Sequence, residues 1–121
     1  NWDISKSRET HRLTATAMPD EIAMAAKAHH CKSIAFTYND PVIFLEYAVD
    51  TAIACHEKNI KTVAVTAGYI CEEPATDFFP HMDAVNVDLK GFTDEFYFKL
   101  CGGHLAPVLE TLKYIKHETN N

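Results

Sequence analysis

Three short stretches of this 121-residue chain gather side chains that can bind or transform a small molecule. The first is Phe36-Thr37-Tyr38-Asn39-Asp40-Pro41, an aromatic, an amide, a carboxylate and a proline in close succession. Backbone carbonyls freed before a helix, with the Asp40 carboxylate beside them, suit an ammonium group. On the residues alone, a helix N-cap followed by proline is the simpler reading. The second is Thr66-Ala67-Gly68-Tyr69, where glycine permits a close backbone approach and Thr66 adds a hydroxyl. Glycine after a strand is also ordinary turn chemistry. The third is Asp88-Leu89-Lys90, a carboxylate and an ammonium that point the same way from a strand. They can hold a ribose hydroxyl and a ligand carboxylate, pair only with each other, or supply Lys90 as a Schiff-base amine.

Each stretch must sit at the carboxyl end of a strand, and the surrounding pattern predicts that. Strands are expected over 33–38, 62–67 and 84–89. Helices are expected from Met18 to about Cys31, from Asp40 to about Asn59, over 75–79, over 94–100 and over 107–116. Pro19 and Pro41 suit first turns, and Thr93 suits a cap. Leu45, Ala48, Ala52 and Cys55 recur at helical spacing, as do Val108, Leu109, Leu112 and Ile115. Strand and helix alternating at intervals of roughly 20–30 residues is the βαβ pattern of a parallel sheet. In such sheets ligands bind at the carboxyl ends of the strands. The expected fold class is therefore α/β, a parallel sheet of βα units forming part of a TIM-type (β/α) barrel cut at both ends.

Alternation along the strands separates two faces. Ile34, Phe36 and Tyr38, then Val63 and Val65, then Val85, Val87 and Leu89 form a bulky apolar set, expected to pack on helices. Ser33, Ala35 and Thr37, then Thr62, Ala64 and Thr66, then Asn86, Asp88 and Lys90 form a small or polar set. That set is expected to line a cavity, since Asn86, Asp88 and Lys90 are costly to bury without partners.

Composition narrows the partners. Eleven basic and 17 acidic residues give a net charge of -6, which disfavours nucleic acid. The longest apolar stretches are too short for a bilayer, and the first residues do not resemble a signal peptide, so a cytoplasmic location is expected. Cys31, Cys55, Cys71 and Cys101 show no CxxC spacing and are read as reduced, structural thiols. Cys101-Gly102-Gly103-His104 is half a metal site at best, and none of the scattered histidines is assigned a catalytic role. The open edges of a small sheet invite association.

Taken in order, four segments resemble radical SAM enzymes: Asn1-Trp2-Asp3-Ile4-Ser5, Phe36-Thr37-Tyr38-Asn39-Asp40-Pro41, Asn86-Val87-Asp88-Leu89-Lys90-Gly91 and Gly102 to Leu112. The likeness spans nearly the whole chain. It is greatest to the AmmeMemoRadiSam system radical SAM proteins, akin to the pyruvate formate-lyase activating enzymes. The resemblance implies a domain that binds S-adenosylmethionine beside a [4Fe–4S] cluster. Reductive cleavage there gives a 5′-deoxyadenosyl radical, which takes hydrogen from a protein or small molecule. Tyr38-Asn39-Asp40-Pro41 falls where the family's GGEP-like turn binds the methionine amine. Asp88 and Lys90 match a DxK pair near the ribose and carboxylate, and Thr66 lies at a strand end that approaches the cofactor.

Three departures accompany the likeness. The family's CxxxCxxC is not in these residues, so the chain is expected to begin just after the cluster loop, with 1–17 as an arm, and to hold a cluster only in the full-length protein. Asp40 stands for the usual glutamate, one methylene shorter. Ala67 stands where relatives often carry asparagine. Two other readings of the same residues are a Schiff-base barrel lyase built on Lys90 and a doubly wound interaction domain without catalysis.

Overall fold

A computed structural model of the chain describes residues 17–119. The arm expected over 1–17 and the Asn1-Trp2-Asp3-Ile4-Ser5 segment lie, apart from Ala17, outside the described residues. Helix α1 spans Pro19–Ala28. Proline occupies its first turn, where no amide hydrogen is needed, and the Glu21 carboxylate accepts from the Met18 amide at 2.9 Å. It stops three residues before Cys31, because His30 turns into the left-handed region at φ 55°.

Strand β1 (Ser33–Phe36) ends in the same way, two residues before the expected Tyr38, where φ reaches 72°. Asp40 then caps a 3-10 turn over Pro41–Phe44, accepting from the Val42 amide at 3.2 Å, and α2 follows over Leu45–His56. Asn59, at φ 60°, turns the chain into β2 (Lys61–Thr66). Helix α3 runs Glu72–Phe78 and passes into a 3-10 turn at Phe79–His81. It starts earlier than expected because Pro74 sits inside its first turn, where proline costs no hydrogen bond. Strand β3 (Ala84–Val87) leads to α4 (Asp94–Phe96), capped by Thr93, whose hydroxyl accepts from the Phe96 amide at 3.2 Å. The chain widens into a π turn over Tyr97–Cys101 and closes at Gly102 before α5 (Leu105–Glu118).

The three strands are parallel and ordered β1-β2-β3. Consecutive strands lying side by side, each joined by a helix, describe winding in one direction, as in a barrel wall. A doubly wound sheet requires a reversal of strand order, and these strands show none. Phe36 and Ala64 on the sheet, Ala48 and Ala52 on α2, Ala75 and Phe78 on α3, and Ile115 on α5 share one core, so those helices cover one face. Helix α1 packs on α2 through Ala23 and Ala26 against Ala54 and Cys55.

The register corrects the expected facing of β2. Ile34 lies beside Thr62 and Phe36 beside Ala64; Ala64 lies beside Val85 and Thr66 beside Val87. Residues side by side in parallel strands share a face. The helix-covered face therefore takes Thr62, Ala64 and Thr66, all essentially buried, while Val63 and Val65 join Ser33, Ala35, Ala84 and Asn86 on the other. The middle strand lies beneath the alanine face of α2 and has room only for small side chains; Phe36, Val85 and Val87 fill the flanks. Thr62 is buried without loss because its hydroxyl donates to the His81 carbonyl at 2.8 Å. The opposite face is thus neither wholly small nor wholly polar.

Two smaller corrections concern α5 and the thiols. Leu109, expected on the apolar face, is exposed, and Thr111 is buried in its place, with its hydroxyl donating to the Pro107 carbonyl at 3.1 Å. All four cysteines are free thiols, but only Cys55 is buried as a structural thiol; burial pushes its pKa up, against a smaller opposing effect of Lys58.

Candidate functional site

The carboxyl ends of the three strands meet at an open cleft of about 360 Å³. Tyr38, Asn39, Asp40, Thr66, Asp88 and Lys90, the residues predicted from sequence, all line it, with Thr37, Val65 and Ala67. The strand endings bring them together. Strand β1 ends at Phe36, and the chain turns at the left-handed Tyr38, a residue 83% exposed at the rim. Strand β2 stops at Gly68, which takes φ 70°; a Cβ there would come within 3.0 Å of Val87. Strand β3 stops after Val87, but the Asp88 amide still donates to the Thr66 carbonyl at 2.8 Å, which fixes Asp88 beside β2.

Asp40 faces β2. Its Oδ1 accepts from the Thr66 hydroxyl at 2.8 Å, and its Oδ2 accepts from the Ala67 amide at 2.8 Å. Thr66 Oγ1 in turn accepts from the Gly68 amide at 3.0 Å. The single hydroxyl proton of Thr66 is therefore committed to Asp40, and toward a ligand this oxygen can only accept.

On the other side of the cleft, Lys90 Nζ donates to Asp88 Oδ2 at 3.0 Å and Asn86 Nδ2 donates to Asp88 Oδ1 at 3.0 Å. The Lys90 hydrogen bond, the Lys90 charge and the Asn86 amide hold the Asp88 carboxyl below the usual carboxylate range. Both side chains of this pair are about half exposed, at 47% and 49%, so the charges remain open to a ligand. The Lys90 amide donates to the buried Tyr97 hydroxyl at 3.1 Å, an anchor for which the sequence carries no signal. Gly91 lets the chain pass close to the Phe96 ring, since a Cβ would lie 2.5 Å from it and the ring would have to shift. Asn86 joins this group from the polar alternation of β3.

The cleft offers carboxylate, ammonium, amide and hydroxyl groups within one small space. That combination suits a zwitterionic ligand carrying hydroxyl groups. A larger groove of about 700 Å³ lies between α3 and α5, lined by Tyr69, Ile70, Pro107 and Tyr114 among others. It gathers none of the strand-end groups. His104 of the CxxH stretch turns to Asp94, at 3.1 Å. Among the described residues, no group of three or more His, Cys, Asp or Glu side chains is placed to hold a metal ion.

Compared with known families, residues 3–120 match the model of the radical SAM superfamily, and the chain belongs to that superfamily. Its chemistry in general uses S-adenosylmethionine with a [4Fe–4S] cluster. An uncharacterized protein from Methanocaldococcus jannaschii is 37% identical over 116 residues, which cover 96% of this chain. The chain spans about a third of that relative's length, 34%. The charged and hydroxyl-bearing side chains of the cleft match the kinds of polar group that S-adenosylmethionine carries. The described residues do not provide the ligands of an iron–sulfur cluster.

Proposed function

We propose that the cleft is the S-adenosylmethionine site of a radical SAM enzyme in the branch of the AmmeMemoRadiSam proteins and pyruvate formate-lyase activating enzymes. The convergence of Tyr38, Asn39, Asp40, Thr66, Asp88 and Lys90 on one strand-end cleft carries this reading. The Tyr38-Asn39-Asp40 turn takes the amino end of the methionine moiety. Lys90 meets its carboxylate, and Asp88, held ionised by Lys90 and Asn86, accepts from a ribose hydroxyl. Bound at these residues, S-adenosylmethionine would supply radical chemistry on accepting one electron from a [4Fe–4S] cluster held elsewhere in the full-length protein, with hydrogen drawn from a protein or small-molecule acceptor. This chain's residues bind and orient the cofactor. A Schiff-base role for Lys90 is less well supported, because Lys90 is ion-paired and half exposed rather than set in an apolar pocket.

Calorimetry of S-adenosylmethionine against the full-length protein under anaerobic conditions tests the reading. Saturable one-to-one binding, weakened at least tenfold in an Asp88→Asn, Lys90→Ala double variant, is expected. Absence of binding by the wild-type protein would overturn it.

A further inference from the structure

Resting on that reading, we infer that Asp40 and Thr66 are positioning residues: a polar clasp that holds the ends of β1 and β2 together and acts on the cofactor only through the backbone it fixes. In a direct role, the Asp40 carboxylate would turn its oxygens to the ligand ammonium. Here Oδ1 takes the Thr66 hydroxyl and the Val42 amide, and Oδ2 takes the Ala67 amide. Three of about four acceptor positions on the carboxylate are thus filled by the chain itself. The partners come from two strand ends. Val42 follows Asp40 in the capped turn, whereas Thr66 and Ala67 lie 26 and 27 residues along the chain.

The environment supports the same assignment. Thr66 is 2% exposed, its hydroxyl proton goes to Asp40, and its oxygen accepts from the Gly68 amide. The clasp also spans the two sharpest backbone turns at the cleft, Tyr38 at φ 72° and Gly68 at φ 70°. Neither turn is held by the strand ladder, which ends at Phe36 and Thr66. Asp40 connects them. A glutamate would be one methylene too long to meet Thr66 and Ala67 from the same backbone position. The shorter side chain therefore matches a clasp between strands better than a reach toward a ligand.

The experiment compares affinities of the full-length protein for S-adenosylmethionine and 5′-deoxyadenosine, with thermal unfolding of each variant measured in parallel. Asp40→Asn and Thr66→Val should each weaken S-adenosylmethionine binding by about tenfold, the scale of losing one hydrogen bond to a charged group. The double variant should be no weaker than the worse single variant, because both changes open the same clasp. Thr66→Ser should restore most of the affinity, and Asp40→Glu should not. The preference for S-adenosylmethionine over 5′-deoxyadenosine should fall in the two weakened variants; equal loss for both ligands would mean general damage and overturn the inference. Unchanged affinity in Thr66→Val, or undiminished affinity in Asp40→Glu, would overturn it in favour of direct contact by Asp40. Failure of the wild-type protein to bind S-adenosylmethionine would instead remove the reading of the site itself.

Discussion

The two ends of the sheet each carry a cluster built around an aspartate, and they use it differently. At the amino end, Asp83 precedes β3 and collects partners from two other elements, α2 and β2. Lys61 Nζ donates to Oδ1 at 2.6 Å, the Thr62 amide donates to Oδ2 at 2.8 Å, and His56 Nε2 lies 2.8 Å from Oδ2. Partial burial works to raise its pKa. The hydrogen bonds from Lys61, Thr62 and His56, with the His56 charge, outweigh burial and hold the carboxyl far below the usual range. At the carboxyl end, among the described residues, the Asp88 carboxylate pairs with Lys90 and Asn86, both near in sequence, and the group faces outward. A carboxylate surrounded from several elements ties a fold together. One paired only with its own strand's neighbours costs little to rearrange around a ligand. In parallel barrels the amino end serves stability and the carboxyl end function, and the roles proposed for these two aspartates divide the same way.

The division breaks if variants at one end affect the property assigned to the other. The largest effect is expected for Asp83→Ala, which strands the Thr62 amide, Lys61 and His56. It should cost about 2 kcal/mol of stability in denaturant unfolding, with S-adenosylmethionine affinity unchanged by calorimetry. A comparable loss of affinity would show that the ends are not separate. The same residue sets an acid limit. Its pKa is lowered on folding, so its contribution is complete above the unfolded value near 4 and is lost as pH falls through the lower folded value. Thermal unfolding between about pH 5 and 2 should therefore decline less steeply in Asp83→Asn than in the wild type.

Lys90→Ala should do the reverse. Affinity falls about tenfold, while stability changes by less than about 0.5 kcal/mol, as for an exposed ion pair. A stability loss exceeding that of Asp83→Ala would invert the comparison. The smallest effect tests an exception: Thr93 lies beyond the carboxyl end of β3 but serves as a cap. Thr93→Ala should lose about 1 kcal/mol with no change in affinity, which would sharpen the division from one of location to one of partners.

The contrast also explains what could be read beforehand. The strand ends were legible because the chain marks them: Asp40-Pro41, Gly68 and Lys90-Gly91 interrupt runs of alternating residues. The cleft followed, since parallel strands carry their last residues to one side. The facing of β2 was not legible. Alternation separates Thr62, Ala64 and Thr66 from Val63 and Val65, but does not say which set a helix covers; that is decided by the register and by the room left beneath Ala48 and Ala52. The Asp83 cluster was missed because an acid before a strand reads as loop. The signal was present in Lys61 and Asp83, each opening one of two adjacent parallel strands. The direction in which Asp40 points was equally hidden, since a cap residue's second partner lies far along the chain.

The spans of the two polar clasps bear on the order of assembly. Asp40 and Thr66 close a loop of 26 residues, and His56 and Asp83 one of 27. Loop-closure entropy depends only weakly on length, so the chain pays nearly the same for each. What differs is when the partners exist. As the chain emerges from its amino end, the Asp40–Thr66 clasp can close once β2 is made, whereas His56 must wait for β3. The end of the sheet that carries the proposed ligand cleft can therefore take shape one βα unit before the end built around Asp83.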